Sequence, residues 1–361
     1  MVTQYTGISL FSGAGGMDIG FRDAGVGVLF ANELDHEAAE TYRANLDPTA
    51  TVMREGDIKD FMEDLRAYQD VDVLFGGPPC QGFSVAGKMD PSDERSQLVF
   101  TFMDAVGLVR PKLFVMENVK ALGQLTRWKS VRDRLFDRAQ QLGYGTAQFV
   151  LNAADFGVPQ ARERFILIGL REDMGTIDAA SLAAALASRR AQPRTVRDAL
   201  LAVGEDASAA GSTAAIRLAK NPVMRRSPYN GSLLFNGRGR PLDPGQPAKT
   251  LPAQMGGNHT PIIDQTLLDD PEGYDWVSDY HARLQEGTVT PEDEQQRIPS
   301  SVRRITVREA AALQTFPADY VFKGKQNKQY RQIGNAVPCA LARAVAESAL
   351  GLLPDLLEES A

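Results

Sequence analysis

The sequence predicts an α/β fold: a Rossmann-like, doubly wound and mostly parallel sheet, with a length of 361 residues that suggests about two domains. Three observations predict it. Short apolar, β-branched runs alternate with amphipathic segments of helical length through the first 171 residues, the pattern of a parallel sheet wound with helices. The first run ends in a Gly-rich turn, Phe11-Ser-Gly-Ala-Gly-Gly16. Several later runs end in a carboxylate or a Gly-Pro cluster, at the sheet edge where such folds bind ligands.

The elements follow in order. Residues 6–10 read as the first strand, 11–16 as the turn and 17–24 as a helix. Backbone N–H groups of such a turn, with the amino end of a helix, suit a polar ligand, although Gly-rich turns also serve packing alone. Residues 26–32 form the second strand and deliver Glu33, roughly 20 residues after the glycines, where a carboxylate can bind ribose hydroxyls. The same acid could instead sit at the amino end of the helix over 35–46. A short strand near 51–53 leads to Asp57, a further strand-end carboxylate, and a helix is expected over 59–68. Strands over 71–75 and 113–116 flank a helix over 96–109, and strands over 148–152 and 165–170 follow. There is no repeat of fixed period.

The strand over 71–75 runs into Gly76-Gly77-Pro78-Pro79-Cys80-Gln81-Gly82-Phe83-Ser84. Two prolines restrict the backbone before the thiol, and the flanking glycines allow close approach of another molecule, which suits a nucleophile. The alternative is a small buried hydrophobe, the usual fate of a free Cys. Glu117 follows four apolar residues, so a partly dry site would favour its neutral, proton-donating form. Arg162 and Arg164 alternate on one side of an extended segment and could hold a polar oxygen or a thiolate. Structural ion pairs explain these charges equally well.

Composition narrows the classes. Hydrophobic residues make up 43%, enough for real cores, and no apolar run approaches a membrane span. The amino terminus lacks a basic segment followed by a hydrophobic one, so export is not expected. Two cysteines and three scattered histidines make neither a disulfide framework nor a zinc cluster, which fits a reducing cytoplasm. The formal net charge of −7 hides two basic stretches: residues 189–240 carry ten Lys or Arg against three acids, and 299–343 carry eight against two. Ten acids and one Arg lie within 264–296. The basic stretches are either solvated faces or the field that attracts a polyanion.

Taken together, these residues resemble the DNA cytosine carbon-5 methyltransferases. Phe11 to Gly16 is similar to the family's cofactor loop, Gly77-Pro-Pro-Cys-Gln81 to its nucleophile loop and Glu117-Asn-Val119 to its proton-donor motif. Residues 160–164 and Gln332-Ile-Gly-Asn-Ala-Val-Pro338 match the remaining signatures, in the usual order. The resemblance implies a class I methyltransferase fold with a catalytic domain over 1–171, a smaller target-recognition domain over 172–298, and a return segment over 299–361. It implies S-adenosylmethionine as methyl donor and no metal. Phe11 would stack near adenine, Gly13, Ala14 and Gly16 would pass beneath the methionine part, Glu33 would bind ribose and Asp57 the adenine edge. Ile58, Pro79, Leu98, Asn335 and Val337 match further cofactor-contact positions.

By the same resemblance, Cys80 would add to carbon 6 of a flipped cytosine, Glu117 would protonate the ring, Arg164 would contact its carbonyl oxygen and Arg162 would favour the thiolate. Double-stranded DNA would be the partner, with Ser84, Lys88 and Arg95 in a loop that closes over it. Arg303 and Arg304 are expected on phosphate. Arg238 and Arg240, in a Gly-Arg loop thirteen residues or fewer before Thr250-Leu251, are expected to read base edges or to touch phosphate only. A monomeric prokaryotic enzyme, with a restriction endonuclease as an independent partner, fits this picture. The runner-up is an RNA cytosine methyltransferase of the same fold, but the second Cys of its Cys-Phe-Thr segment is missing here. A DNA-binding pseudoenzyme is disfavoured by the intact Cys80, Glu117, Arg162 and Arg164.

Overall fold

The structure is a computed structural model that describes residues 4–79, 97–204 and 214–354. The chain folds into two compact units, one of residues 1–157, 163–192 and 336–361, the other of 158–162 and 193–335.

The first unit is built on β1 (Tyr5–Leu10), β2 (Val26–Glu33), β3 (Met53–Glu55), β4 (Val73–Gly76), β5 (Leu113–Val119), β6 (Tyr144–Asn152) and β8 (Glu163–Arg171). They lie in the order β3-β2-β1-β4-β5-β8-β6. The pairs from β3 through β5 are parallel, while β8 runs antiparallel to both β5 and β6. The chain winds outward from β1 to β3 and then restarts at β4, so the order reverses between β1 and β4. That switch point is the place where open α/β sheets bind ligands. Helices α1 (Gly16–Asp23), α2 (His36–Leu46) and α3 (Leu98–Val109) make the crossovers. Leu10, Leu74, Phe102, Phe114, Met116 and Leu167 are fully buried in the core of this unit. Phe21 of α1 stacks on Phe75 of β4 at 3.9 Å.

One element differs from its expectation. Residues 59–68 form two short 3₁₀ turns, Ile58–Phe61 and Asp64–Tyr68, in place of a helix. Asp57 caps the first through the Lys59 N–H, and Met62 and Glu63 join the two with helical backbone angles. Such tight turns rarely extend beyond a few residues.

Among its described residues, the second unit holds three short two-stranded sheets: β7 (Gln160–Ala161) with β11 (Ala248–Lys249), β9 (Leu218–Val223) with β10 (Leu233–Phe235), and β12 (Ile262–Asp264) with β13 (Val302–Arg304). Leu234, Phe235, Val277 and Tyr280 fill its core, and Trp276 stacks on Tyr280 at 5.2 Å. The acidic run over 264–296 is largely structural. Asp264 and Asp275 cap helices, and the buried Glu294 takes two bonds from Arg283 and one from Arg297. The division differs from the expected 172–298 domain. Residues 172–192 stay with the first unit, where helix α4 (Ala179–Ser188) packs against the final helix, Cys339–Leu350. Residues 299–335 stay with the second unit through the β12–β13 pair, and the chain returns only at Ala336.

Candidate active site

The carboxyl edge of the sheet assembles the first group of expected residues. Phe11 leaves β1 with φ +56°, a left-handed conformation uncommon for a residue with a side chain and found where the surroundings hold it. Gly13 follows at φ +57° and gives its N–H to Oε2 of Glu33 at 2.8 Å, while the Asp35 N–H binds Oε1 at 2.8 Å. Both oxygens of Glu33 are thus oriented, each with lone pairs to spare, and burial pushes its carboxyl above the ordinary range. A Cβ added to Gly13 would meet nothing within 4 Å, so the space over the turn is open. An adenosine-type ligand fits this edge. Ala14 and Ile58 are buried, Asp57 bonds the Lys59 N–H at 3.0 Å, and Leu98 is half-buried at the start of α3. Asn32, for which no role was foreseen, donates to the Arg54 and Gly56 carbonyls at 3.0 Å and holds the segment that carries Asp57.

The loop after β4 is fastened from both sides. Gly76 lies so close to β1 that a Cβ there would stand 2.1 Å from the Leu10 carbonyl oxygen, so only glycine fits. Asn118 donates from Nδ2 to the Pro78 carbonyl at 3.0 Å, tying the Glu117 strand to the residues that lead into position 80. This polar group inside a buried strand end was a usable signal that sequence reasoning left without a role. Glu117 is 8% exposed, and its Oε1 pairs with Nε of Arg164 at 2.7 Å. A guanidinium in contact stabilises a carboxylate, which sets Arg164 against the neutral form expected from burial alone. A Cβ on Gly77 would sit 3.0 Å from Oε2 of Glu117, so the glycine lets the acid lie against the loop. Cys80, Ser84, Lys88 and Arg95 lie outside the described residues.

A family model described as C-5 cytosine-specific DNA methylase matches residues 5–350. The chain belongs to that family. It is a DNA cytosine carbon-5 methyltransferase. The type II methyltransferase M1.HphI of Haemophilus parahaemolyticus is 36% identical over 352 residues, 96% of this chain and 86% of that protein. M.DdeI of Desulfomicrobium norvegicum, also a type II methyltransferase, is 31% identical over 94% of this chain and 87% of its own length. The crystal structure of the S. pombe Dnmt2 methyltransferase covers 96% of this chain and 98% of that one with a TM-score of 0.65 at 17% identity, a likeness of fold.

In the second unit of the methyltransferase, the expected site residues divide. Arg238, Arg240 and Thr250 are exposed, and neither arginine makes an ion pair among the described residues. Thr250 donates to the Ala161 carbonyl at 3.0 Å. Arg162 is 3% exposed and donates to the Leu251 and Gly334 carbonyls at 3.0 and 2.9 Å, which ties three separate segments of this unit together. Its neighbour Gln160 reaches Gln314 and accepts from the Leu251 N–H, both at 2.9 Å. Asn335 is exposed at the end of helix Gln326–Asn335, and Val337, of the first unit, is buried.

The expected phosphate contacts of Arg303 and Arg304 are corrected by the geometry. Arg303 forms a two-pronged pair with Glu309, at 2.8 and 2.6 Å, and also bonds Gln265. Arg304 is 3% exposed and spends its guanidinium on backbone and Asn236 oxygens. Arg304 is closed off from a polyanion outside, while Arg303 stays part-exposed. Among the described residues, one group of possible metal ligands lies together, His36, Glu40 and Glu55. Arg43 already bridges both of its acids at 2.7 and 2.8 Å, so a cation occupies that place. No helix among the described residues is long and apolar enough to cross a membrane.

Proposed function

We propose that this methyltransferase acts on a cytosine extruded from duplex DNA, with Cys80 as covalent nucleophile and Glu117 and Arg164 as the groups that stabilise the activated ring. The observation that carries this reading is the coupling of Glu117 to the loop ahead of Cys80: Asn118 binds Pro78, Gly77 makes room for the acid, and Arg164 orients it. The base must leave the stack, since its reacting carbons are unreachable inside a duplex, at a cost of a few kcal/mol.

The chemistry follows from the residue types. Carbon 5 of cytosine is a weak nucleophile. The Cys80 thiolate forms a bond to carbon 6, and the displaced ring electrons make carbon 5 electron-rich while nitrogen 3 takes a proton from Glu117. Arg164 faces the ring carbonyl oxygen, where charge also develops. When bound, S-adenosylmethionine supplies the electrophilic methyl group. Loss of the carbon 5 proton to water then expels the thiolate, and the nitrogen 3 proton returns to Glu117, which restores the ring and the acid. Phe11, Gly13, Glu33, Asp57 and Leu98 are the residues that would hold the methyl donor; the open space over Gly13 and the oriented carboxylate of Glu33 support this.

Ser84, Lys88, Arg95, Thr250, Arg238 and Arg240 would face DNA. The type II names of the relatives favour a separate restriction endonuclease as functional partner in a bacterial cytoplasm.

Cys80→Ser tests the core of the proposal. A duplex with 5-fluorocytosine at the target should trap the wild-type enzyme covalently. The serine variant should bind S-adenosylmethionine near normally, turn over no DNA and form no adduct. An adduct with the serine variant would reject Cys80 as nucleophile.

A further inference from the structure

We propose that Arg304 is a positioning residue that clamps the loops over 236–240 and 256–260 into one base-reading element. The proposal rests on the reading that Arg238 and Arg240 face DNA. Arg304 ends β13 opposite Ile262 of β12, and its side chain turns inward. Nη1 donates to the Thr260 carbonyl at 2.7 Å and to the Asn258 carbonyl at 3.3 Å. Nη2 donates to the carbonyl and Oδ1 of Asn236, at 3.3 and 3.0 Å. Every acceptor of this guanidinium therefore belongs to one of the two loops.

The loops also bond each other directly. The N–H groups of Arg238 and Gly239 both donate to the Asn258 carbonyl, at 3.2 and 3.1 Å, and Asn236 Nδ2 donates to Asn258 Oδ1 at 3.1 Å. Glycine makes this contact possible. Gly237 has φ +81°, and a Cβ on it would stand 2.2 Å from the Asn258 carbonyl oxygen. A Cβ on Gly239 would stand 2.0 Å from the Thr260 oxygen and 2.6 Å from Nη1 of Arg304. The side chains of Arg238 and Arg240 thus project from a backbone fixed against a second loop.

The charge of Arg304 argues for more than packing. No carboxylate pairs with it among the described residues, its Nε has no hydrogen-bond partner, and burial lowers its pKa below the usual arginine value. An isolated buried cation is costly, and an apolar side chain would serve stability better at such a place. What an apolar side chain cannot supply is a planar fork that bonds two loops in a set geometry.

The test profiles methylation of random duplexes by Arg304→Met, Arg304→Lys, Asn236→Ala, Arg238→Ala and Arg240→Ala, with thermal melts and the salt dependence of DNA binding. Arg304→Met should lose about tenfold in discrimination against single-base mismatches, the size of one lost base contact, with an unchanged salt slope. Arg304→Lys, which keeps the charge but not the fork, should resemble the methionine variant. Asn236→Ala removes the side-chain links to Arg304 and Asn258, along with those to the Arg217 N–H and the Ala215 carbonyl, without emptying a buried site, so it should relax preference even if Arg304→Met fails to fold. The clamp is overturned by a folded Arg304→Met with wild-type preference, by full recovery in Arg304→Lys, by a salt slope reduced by about one, or by unchanged preference in Asn236→Ala. If Arg238→Ala and Arg240→Ala keep wild-type preference while Arg304→Met and Asn236→Ala relax it, the clamp stands and the reading of the two arginines fails.

Discussion

Glu117 is held between two opposing influences, a dry strand end and the guanidinium of Arg164 at 2.7 Å. If its task is to deliver a proton, the amide of Glu117→Gln keeps shape and a donor but has no proton to give. Turnover at saturating DNA should fall ~100-fold or more, the range that general acid catalysis contributes. Rates within a few-fold of wild type would remove Glu117 from that role. Asp18 behaves differently, because its carboxyl is buried in α1, where it accepts from the Tyr42 hydroxyl at 2.9 Å. Burial raises its pKa from 3.8 to about 7, outweighing the hydrogen bonds from Ser9 and Tyr42 that lower it. Between those two values the folded chain keeps a proton that the unfolded chain has released, so Asp18 destabilises the fold progressively as pH rises through that window and fully above it. Asp18→Asn removes the dependence. Its stability relative to wild type should climb by on the order of 4 kcal/mol across the window, at about 1.4 kcal/mol per pH unit, and then level off. Thermal melts from pH 4 to pH 8 measure it, and a difference that is flat with pH would contradict the assignment.

At the scale of elements, α1 and the final helix, Cys339–Leu350, meet backbone to backbone. A Cβ on Gly20 would lie 2.4 Å from the Arg343 nitrogen and 2.6 Å from Cβ of Ala342, neither of which can swing aside. Gly20→Ala gains up to about 1 kcal/mol of helix propensity. The forced separation should outweigh this and leave a net loss of ~1–2 kcal/mol in urea unfolding; a more stable variant would show that the helices part easily. This contact joins elements more than 300 positions apart, and no local pattern announces it. The strands of the first unit were legible because burial on both faces writes a continuous apolar run, and the residues at their ends followed from the strands. Arg303 and Arg304 were not legible as internal braces. Charge in a sequence does not report depth, and the acceptors of Arg304 are mostly backbone carbonyls, which every residue carries. The three-residue strands β12 and β13 are likewise too short for a periodic signal, which is why the boundary expected after residue 298 falls at 336.

For the molecule as a whole, a single net charge of −7 describes neither of its chemical roles. Many of the acids are consumed inside the second unit, as caps and as partners of Arg283, Arg297 and Arg303. Arg238 and Arg240 remain outward and uncompensated among the described residues, so the local field seen by a polyanion departs from the sign of the total. The first unit is interrupted rather than contiguous, since the second is inserted between its sheet and its last helix. That arrangement bears on how the protein is made. A ribosome releases the amino end first, so β1, the Phe11 turn and α1 emerge while the helix that covers Gly20 is still unsynthesised. Until helix Cys339–Leu350 is made, the face of α1 directly behind the turn expected to hold the methyl donor lacks its cover.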